Sequence, residues 1–219
     1  MTDTGVSRLR FLVSAAVLGA IFGFFFIRLY LQGDNERLCL LILLLKGVGL
    51  IASWLLVLGT MRVPFFKRFC PTGSRFDCQR VIDSPAGKVF NLIHAADLGV
   101  LYFGGSLLVL IFTAFSRDFY FQVVLLGGFN LMTLPYTVFS VMYQALKVRK
   151  WCALCLIVQA VFWLEFWQFY PFLFGNRVLL DVSLPGLTPS ILGFGLILGI
   201  WPLLRHLLEK AYVGEAQID

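Results

Sequence analysis

The sequence predicts an all-α fold, a polytopic transmembrane helical bundle of about six spans. Hydrophobic residues make up 59% of the 219 residues, charged residues make up 14%, and the mean hydropathy is +0.86. This composition leaves too few polar residues to cover a water-soluble surface. Apolar runs longer than about 18 residues recur along the chain, and such runs identify membrane-spanning helices. A soluble fold is therefore excluded.

Six apolar stretches are long enough to cross about 30 Å of hydrocarbon as helices. The predicted spans are residues 11–31, 38–60, 92–115, 119–146, 151–175 and 188–208. The first span follows two arginines, but its apolar stretch exceeds the roughly 7–15 residues of a signal-peptide core, so we predict a retained anchor. Most connections are short, which makes neighbouring helices antiparallel.

One connection, residues 61–91, is long and polar, and several proline and glycine residues interrupt it. Long ordered loops tend to carry function, and this loop holds two of the five cysteines. We therefore predict three parts: two N-terminal spans (1–60), a core of the loop and three spans (61–175), and a loop, final span and tail (176–219).

Four cysteines are predicted to lie at one membrane face, called here the loop face because residues 61–91 lie on it. Cys70 and Cys78 are in the long loop, and Cys152 and Cys155 are in the first turn of the fifth span, which starts at the same face. Cys39 begins the second span at the opposite face. We predict that Cys39 is a buried apolar residue.

The spacing of these cysteines favours thiol chemistry. In Cys152-Ala-Leu-Cys155 both sulfurs lie on one side of a helical turn, where unpaired backbone N–H groups stabilise a thiolate. The pair Cys70 and Cys78 lies in a loop that can approach this turn, so a thiol–disulfide relay is sterically reasonable. Two alternatives stay open: packing cysteines, and a four-cysteine zinc site. The loop pair has seven intervening residues, whereas zinc half-sites usually have about two to four.

Three ionisable residues within the spans are functional candidates by default. Lys46 and Glu165 lie at comparable depth, so we predict a structural ion pair. Asp97, with His94 one turn before it, lies near the loop-face end of the third span at a depth similar to that of the CxxC. Two interpretations remain for Asp97: a proton relay that serves the redox centre, or a carboxylate held at the membrane interface.

Residues 69–166 resemble the vitamin K epoxide reductase family in its bacterial branch. The resemblance rests on a loop that reads Cys70-x7-Cys78-QRVID-Ser84 and on the CxxC that opens the fifth span. The family has a four-helix membrane bundle with a loop cysteine pair, a serine shortly after it, and a CxxC at the start of the last core helix. This chain departs from the pattern at Gln159, where an aromatic residue is usual, and in having two spans before the loop.

The resemblance implies an enzyme that forms disulfides in a thioredoxin-fold partner and passes the electrons to a membrane quinone, menaquinone or ubiquinone. Cys70 and Cys78 would exchange with the partner. Cys152 would receive the electrons through a transient bridge to Cys78, and Cys155 would face the quinone. The candidate cofactor contacts are Ser84, Gln159 and Asp97. The alternative from another class is a non-enzymatic membrane subunit with structural disulfides or a four-cysteine zinc site.

The predicted orientation involves a conflict between two rules. The loop face carries Arg8, Arg10, Arg62, Lys67, Arg68, Arg75, Arg80, Lys88, Lys147, Arg149, Lys150, Arg205 and Lys210, against Arg28, Arg37, Arg117 and Arg177 on the other face. The positive-inside rule makes the loop face cytoplasmic. The bacterial relatives that the resemblance implies place these cysteines outside, where disulfides persist. We predict a multi-pass protein of the bacterial inner membrane with periplasmic redox cysteines.

Overall fold

The computed structural model describes residues 36–63, 66, 68–70, 73, 75–89, 93–113, 119–174 and 184–215. The helices are α1 (Glu36–Thr60), α2 (Cys78–Ile82), α3 (Ala95–Thr113), α4 (Phe119–Tyr143), α5 (Ala153–Phe174) and α6 (Leu184–Glu215). A 3-10 turn (Pro85–Gly87) leads into two short antiparallel strands, β1 (Lys88–Val89) and β2 (Ile93–His94). Residues from Ile42 onward form one compact unit; of the preceding unit, only the start of α1 is described.

Five helices within the described residues are long and apolar enough to span a membrane. Their apolar stretches are Leu41–Thr60, Ala95–Thr113, Tyr120–Val148, Ala153–Phe174 and Gly186–Tyr212. They confirm the all-α polytopic bundle and the last five predicted spans. The first predicted span, residues 11–31, lies outside the described residues. The division of the chain at residues 60 and 175 stays a prediction.

Among the described residues, two helix ends at the loop face are followed by a residue with a left-handed backbone conformation. Arg62 (φ 58°) follows α1, and the N–H of Val63 donates to the carbonyl of Leu58 at 3.2 Å, which closes the helix end. A π-helical turn, Gln144–Val148, extends α4, and Arg149 (φ 54°) follows it. This reversal leads the chain directly to Trp151 and the CxxC.

The C-terminal half of α6 packs beside the loop-face end of α3. Arg205 of α6 forms an ion pair with Asp97 of α3, and the indole N–H of Trp201 donates to the same carboxylate at 3.2 Å. Trp201 also meets Trp54 of α1 edge-on, with ring centroids 5.7 Å apart. The end of α6 therefore lies at the loop face, as an antiparallel bundle requires.

The predicted ion pair between Lys46 and Glu165 is confirmed. The ammonium nitrogen lies 2.8 Å from Glu165 Oε2, and both side chains are fully buried. The same carboxylate oxygen accepts hydrogen bonds from the hydroxyl of Tyr102 (2.8 Å) and the amide of Asn130 (3.2 Å). One oxygen thus joins α1, α3, α4 and α5, because each of these four spans supplies a member of the cluster.

Candidate active site

The loop cysteines form a disulfide that is shielded from solvent. Cys70 and Cys78 are bonded, with Cα atoms 6.0 Å apart, and both are buried. Cys78 begins α2, which Asp77 caps by accepting the N–H of Arg80 at 3.1 Å. The cap fixes the start of this short helix and hence the position of Cys78.

Backbone hydrogen bonds join the loop to the segment that carries the CxxC. The N–H of Trp151 donates to the carbonyl of Arg75, and the N–H of Asp77 donates to the carbonyl of Trp151, each at 3.0 Å. They form a parallel bridge between Phe76 and Trp151. Cys78 follows Phe76 by two residues and Cys152 follows Trp151 directly, so the bridge holds the two cysteine-bearing segments side by side.

Cys152 occupies the N-cap position of α5. Its N–H donates to the side-chain carbonyl of Gln144 at 2.9 Å, and its sulfur accepts the N–H of Cys155 at 3.3 Å. Both residues are free thiols. An N–H of the first helical turn therefore points at the sulfur of Cys152, which is the arrangement that the CxxC spacing predicts.

All four cysteines lie in one region of the core. Cys70, Cys78 and Cys152 are buried in a single apolar cluster, and Cys155 packs against it. The structure thus brings together the four residues that the sequence predicted at one face. The side chain of Cys39 lies outside the described part of the structure.

An apolar cavity of about 490 Å³ lies beside Cys155. Helices α1 to α5 contribute its walls, as do the 3-10 turn and β1. Of the four clustered cysteines, Cys155 lines the cavity. Its volume falls within the roughly 300–1,000 Å³ typical of ligand sites, which are mostly apolar with a few placed polar groups.

The polar side chains that line this cavity belong to α1, α3, α4 and α5. The amide nitrogen of Gln159 donates to the hydroxyl of Ser140 at 2.8 Å, while Gln159 Oε1 has no hydrogen-bond partner among the described residues. The hydroxyl of Ser53 is also buried and without such a partner. The hydroxyl of Tyr136 donates to the carbonyl of Ala86 at 2.7 Å, which ties α4 to the 3-10 turn.

Four polar residues of this region were not among the site residues predicted from the sequence: Ser53, Tyr136, Ser140 and Gln144. A signal for three of them is present in the sequence, because Tyr136, Ser140 and Gln144 recur at four-residue spacing along α4 and the π-helical turn that extends it. Ser53 is a lone serine in an apolar span and gives no such signal.

Of the predicted cofactor contacts, Gln159 lines the cavity, and Ser84 and Asp97 are not among its lining residues. Ser84 precedes the 3-10 turn and donates its hydroxyl to the carbonyl of Val81 at 2.6 Å. The carboxylate of Asp97 is engaged by Arg205 and Trp201. A carboxylate at membrane depth pairs with an available cation, and here α6 supplies one.

The fold and this site define a class: a polytopic membrane protein in which a loop disulfide adjoins a CxxC dithiol next to an apolar cavity. A scan against protein-family models matches residues 40–169 to the vitamin K epoxide reductase family. Searches of curated proteins and of solved structures find no match. The family match covers more than half of the chain. The chain therefore belongs to the vitamin K epoxide reductase family, and is a membrane oxidoreductase that acts on thiols and disulfides.

Proposed function

We propose that this protein oxidises the dithiol of a thioredoxin-fold partner and delivers the electrons to a membrane quinone, menaquinone or ubiquinone. One observation carries the proposal: Cys155 lines the apolar cavity, while the segment that holds it is hydrogen-bonded to the loop that holds Cys78. The two cysteine pairs thus connect the loop to a site that suits a lipid-soluble molecule.

The relay needs two successive disulfide exchanges. The partner's dithiol reduces the Cys70–Cys78 disulfide, and the partner leaves with a disulfide of its own. The thiolate of Cys78 then attacks Cys152 of an oxidised CxxC and forms a transient Cys78–Cys152 bridge. Cys70 resolves that bridge, which re-forms the loop disulfide and leaves Cys152 and Cys155 reduced. Two electrons have then passed from the partner to the CxxC.

The residues at the cavity fit a quinone. The cavity walls are almost entirely apolar. Two buried oxygens, on Ser53 and Gln159, have no hydrogen-bond partner among the described residues. The apolar walls and Gln159 would hold the ring beside Cys155. When bound, a quinone accepts two electrons and two protons and regenerates the CxxC disulfide.

The relay is tested with purified protein, a thioredoxin-fold dithiol protein and a short-chain quinone. We expect Cys155→Ala to abolish quinone reduction. We expect Cys70→Ala to block exchange with the protein partner while oxidation of a small dithiol continues. Cys39→Ala is the matched control and should keep full turnover. Unaltered turnover with the protein partner and quinone in either Cys155→Ala or Cys70→Ala would contradict the relay.

We also propose that the protein lies in a bacterial inner membrane with its redox cysteines on the periplasmic side. The Cys70–Cys78 disulfide supports this orientation, because such bonds persist in oxidising compartments. A membrane-impermeant maleimide on intact cells tests it, with modified cysteines identified by mass. Labelling of Cys70 and Cys78 after reduction supports a periplasmic loop. Labelling that requires an opened membrane would support the cytoplasmic orientation that the charge distribution predicts.

A zinc site would require the same four cysteines in a different chemical state. A four-cysteine site needs four thiolates, whereas Cys70 and Cys78 are joined to each other in the structure. Metal analysis separates the two functions. About one zinc per chain, with no quinone reduction, would favour the non-enzymatic subunit.

A further inference from the structure

We propose that Ser53 is a positioning residue that donates a hydrogen bond to a carbonyl oxygen of the bound quinone; this inference rests on the proposed function. Ser53 belongs to α1, lines the cavity, and is 1% exposed. Its hydroxyl has no hydrogen-bond partner among the described residues. A buried hydroxyl without a partner is costly, so its presence at a ligand cavity calls for a partner that the ligand supplies.

Other hydroxyls in the spans show what Ser53 lacks. The hydroxyls of Thr60, Ser106, Thr113, Thr133 and Thr137 donate to backbone carbonyls three or four residues earlier, at 2.6–2.7 Å. This local bond is the usual way to satisfy a serine or threonine in an apolar helix. The structure gives Ser53 no such bond, although its residue type and burial match those of Ser106.

Ser53 lies at the same depth in the bundle as Gln159, whose side-chain oxygen is the other unpaired oxygen at the cavity. Ser53 lies seven residues before the end of α1, and Gln159 lies six residues after the start of α5. At 1.5 Å per residue, both are roughly 10 Å below the loop-face ends of their helices. Gln159 is also one helical turn beyond Cys155, on the same face of α5. The two oxygens therefore flank one level of the cavity, just below the reactive thiol.

The two oxygens differ in the hydrogen bonds that they can form with the ligand. A hydroxyl can donate to a quinone carbonyl and, after rotation, accept from the hydroxyl of the quinol. The oxygen of Gln159 only accepts, so it favours the reduced form. Ser53 can thus hold the ring in both redox states. Gly99 of α3 leaves the space for this hydroxyl, because a Cβ at that position would overlap Ser53 Oγ.

The experiment compares Ser53→Ala with Ser106→Ala, a matched control from α3 that does not line the cavity. For Ser53→Ala we expect KM for a short-chain quinone to rise about 3- to 10-fold with kcat changed less than about twofold, because one neutral hydrogen bond to the ligand is lost. The quinone Kd, measured without turnover by tryptophan fluorescence quenching, should rise by the same factor. Ser106→Ala should leave both values unchanged.

Stability without quinone separates this role from a structural one. Ser53→Ala removes an unpaired hydroxyl, so the unfolding temperature should stay the same or rise, whereas Ser106→Ala loses a hydrogen bond and should unfold at a lower temperature. Unchanged KM and Kd in Ser53→Ala would overturn the inference, and so would a loss of stability equal to that of Ser106→Ala. If the wild-type protein binds and reduces no quinone, the proposed function itself fails and the inference falls with it.

Discussion

Replacing Lys46 with methionine should destabilise the protein strongly, because it leaves Glu165 in the membrane core without its cation. The two charged groups lie 2.8 Å apart and neither is exposed. Removing one partner of a buried ion pair costs about 3–5 kcal/mol. We expect the lower end, about 3 kcal/mol, because Tyr102 and Asn130 still donate to the carboxylate. For a chain of this size, such a loss lowers the unfolding temperature by about 6–12 °C.

The assay is thermal unfolding in detergent, followed by intrinsic tryptophan fluorescence, on single and double variants. Lys46→Met combined with Glu165→Leu removes both charges and should recover most of the lost stability, since well-packed apolar pairs replace buried ion pairs at little cost. Lys210→Met, at an exposed lysine of α6, is the control and should change stability by less than about 0.5 kcal/mol.

Two results would refute this reasoning. The first is a Lys46→Met protein that unfolds within a degree or two of wild type. The second is a double variant whose loss equals the sum of the single losses, because additive effects mean that the two residues are not coupled. Added salt should not change the single-variant loss, since a fully buried pair is screened little.

Gln144→Leu should lower the free energy of unfolding by about 1–3 kcal/mol, since the buried N–H of Cys152 then has no acceptor. Chemical denaturation measures the loss. An unchanged midpoint would contradict a stabilising role for the hydrogen bond between Gln144 and Cys152. A pH dependence is expected at His94, because burial, and then the charge of Arg205, lower its pKa from the ordinary value of 6.5. Below pH 6.5 the folded state then binds fewer protons at His94 than the unfolded state does. The protein therefore keeps its full stability above pH 6.5 and loses the contribution of neutral His94 as the pH falls below that value. His94→Gln should flatten the decline in unfolding temperature over that range, and an equal decline in both proteins would contradict the assignment.

Several features of the site could be predicted from residue type and spacing. The CxxC at the start of a span predicts a sulfur facing the helix N-terminus, because helical geometry alone sets that position. Cys152 occupies it. The pairing of Lys46 with Glu165 also follows from local facts, since charges in hydrocarbon must find partners and these two lie at one depth.

Other features depended on which helices become neighbours. The position of Asp97 in the sequence predicts a depth similar to that of the CxxC, but the partner of its carboxylate is Arg205, 108 residues later in the chain. The role of Gln144 requires a π-helical turn that carries its amide to the N–H of Cys152, and no local pattern predicts that contact.

Hydropathy and short connections constrain the membrane class, the five described spans and the collection of four cysteines at one face, so these properties follow from the amino-acid sequence alone. The thiol that lines the apolar cavity, and the polar atoms around it, depend instead on how the helices pack against one another. Side-chain partners across a bundle depend on the rotation of each helix about its own axis, and nearly uniform apolar spans contain little information about that rotation. Ser53 shows the consequence: its residue type is unremarkable in α1, and its unpaired hydroxyl and its place at the cavity emerge once five helices are packed together.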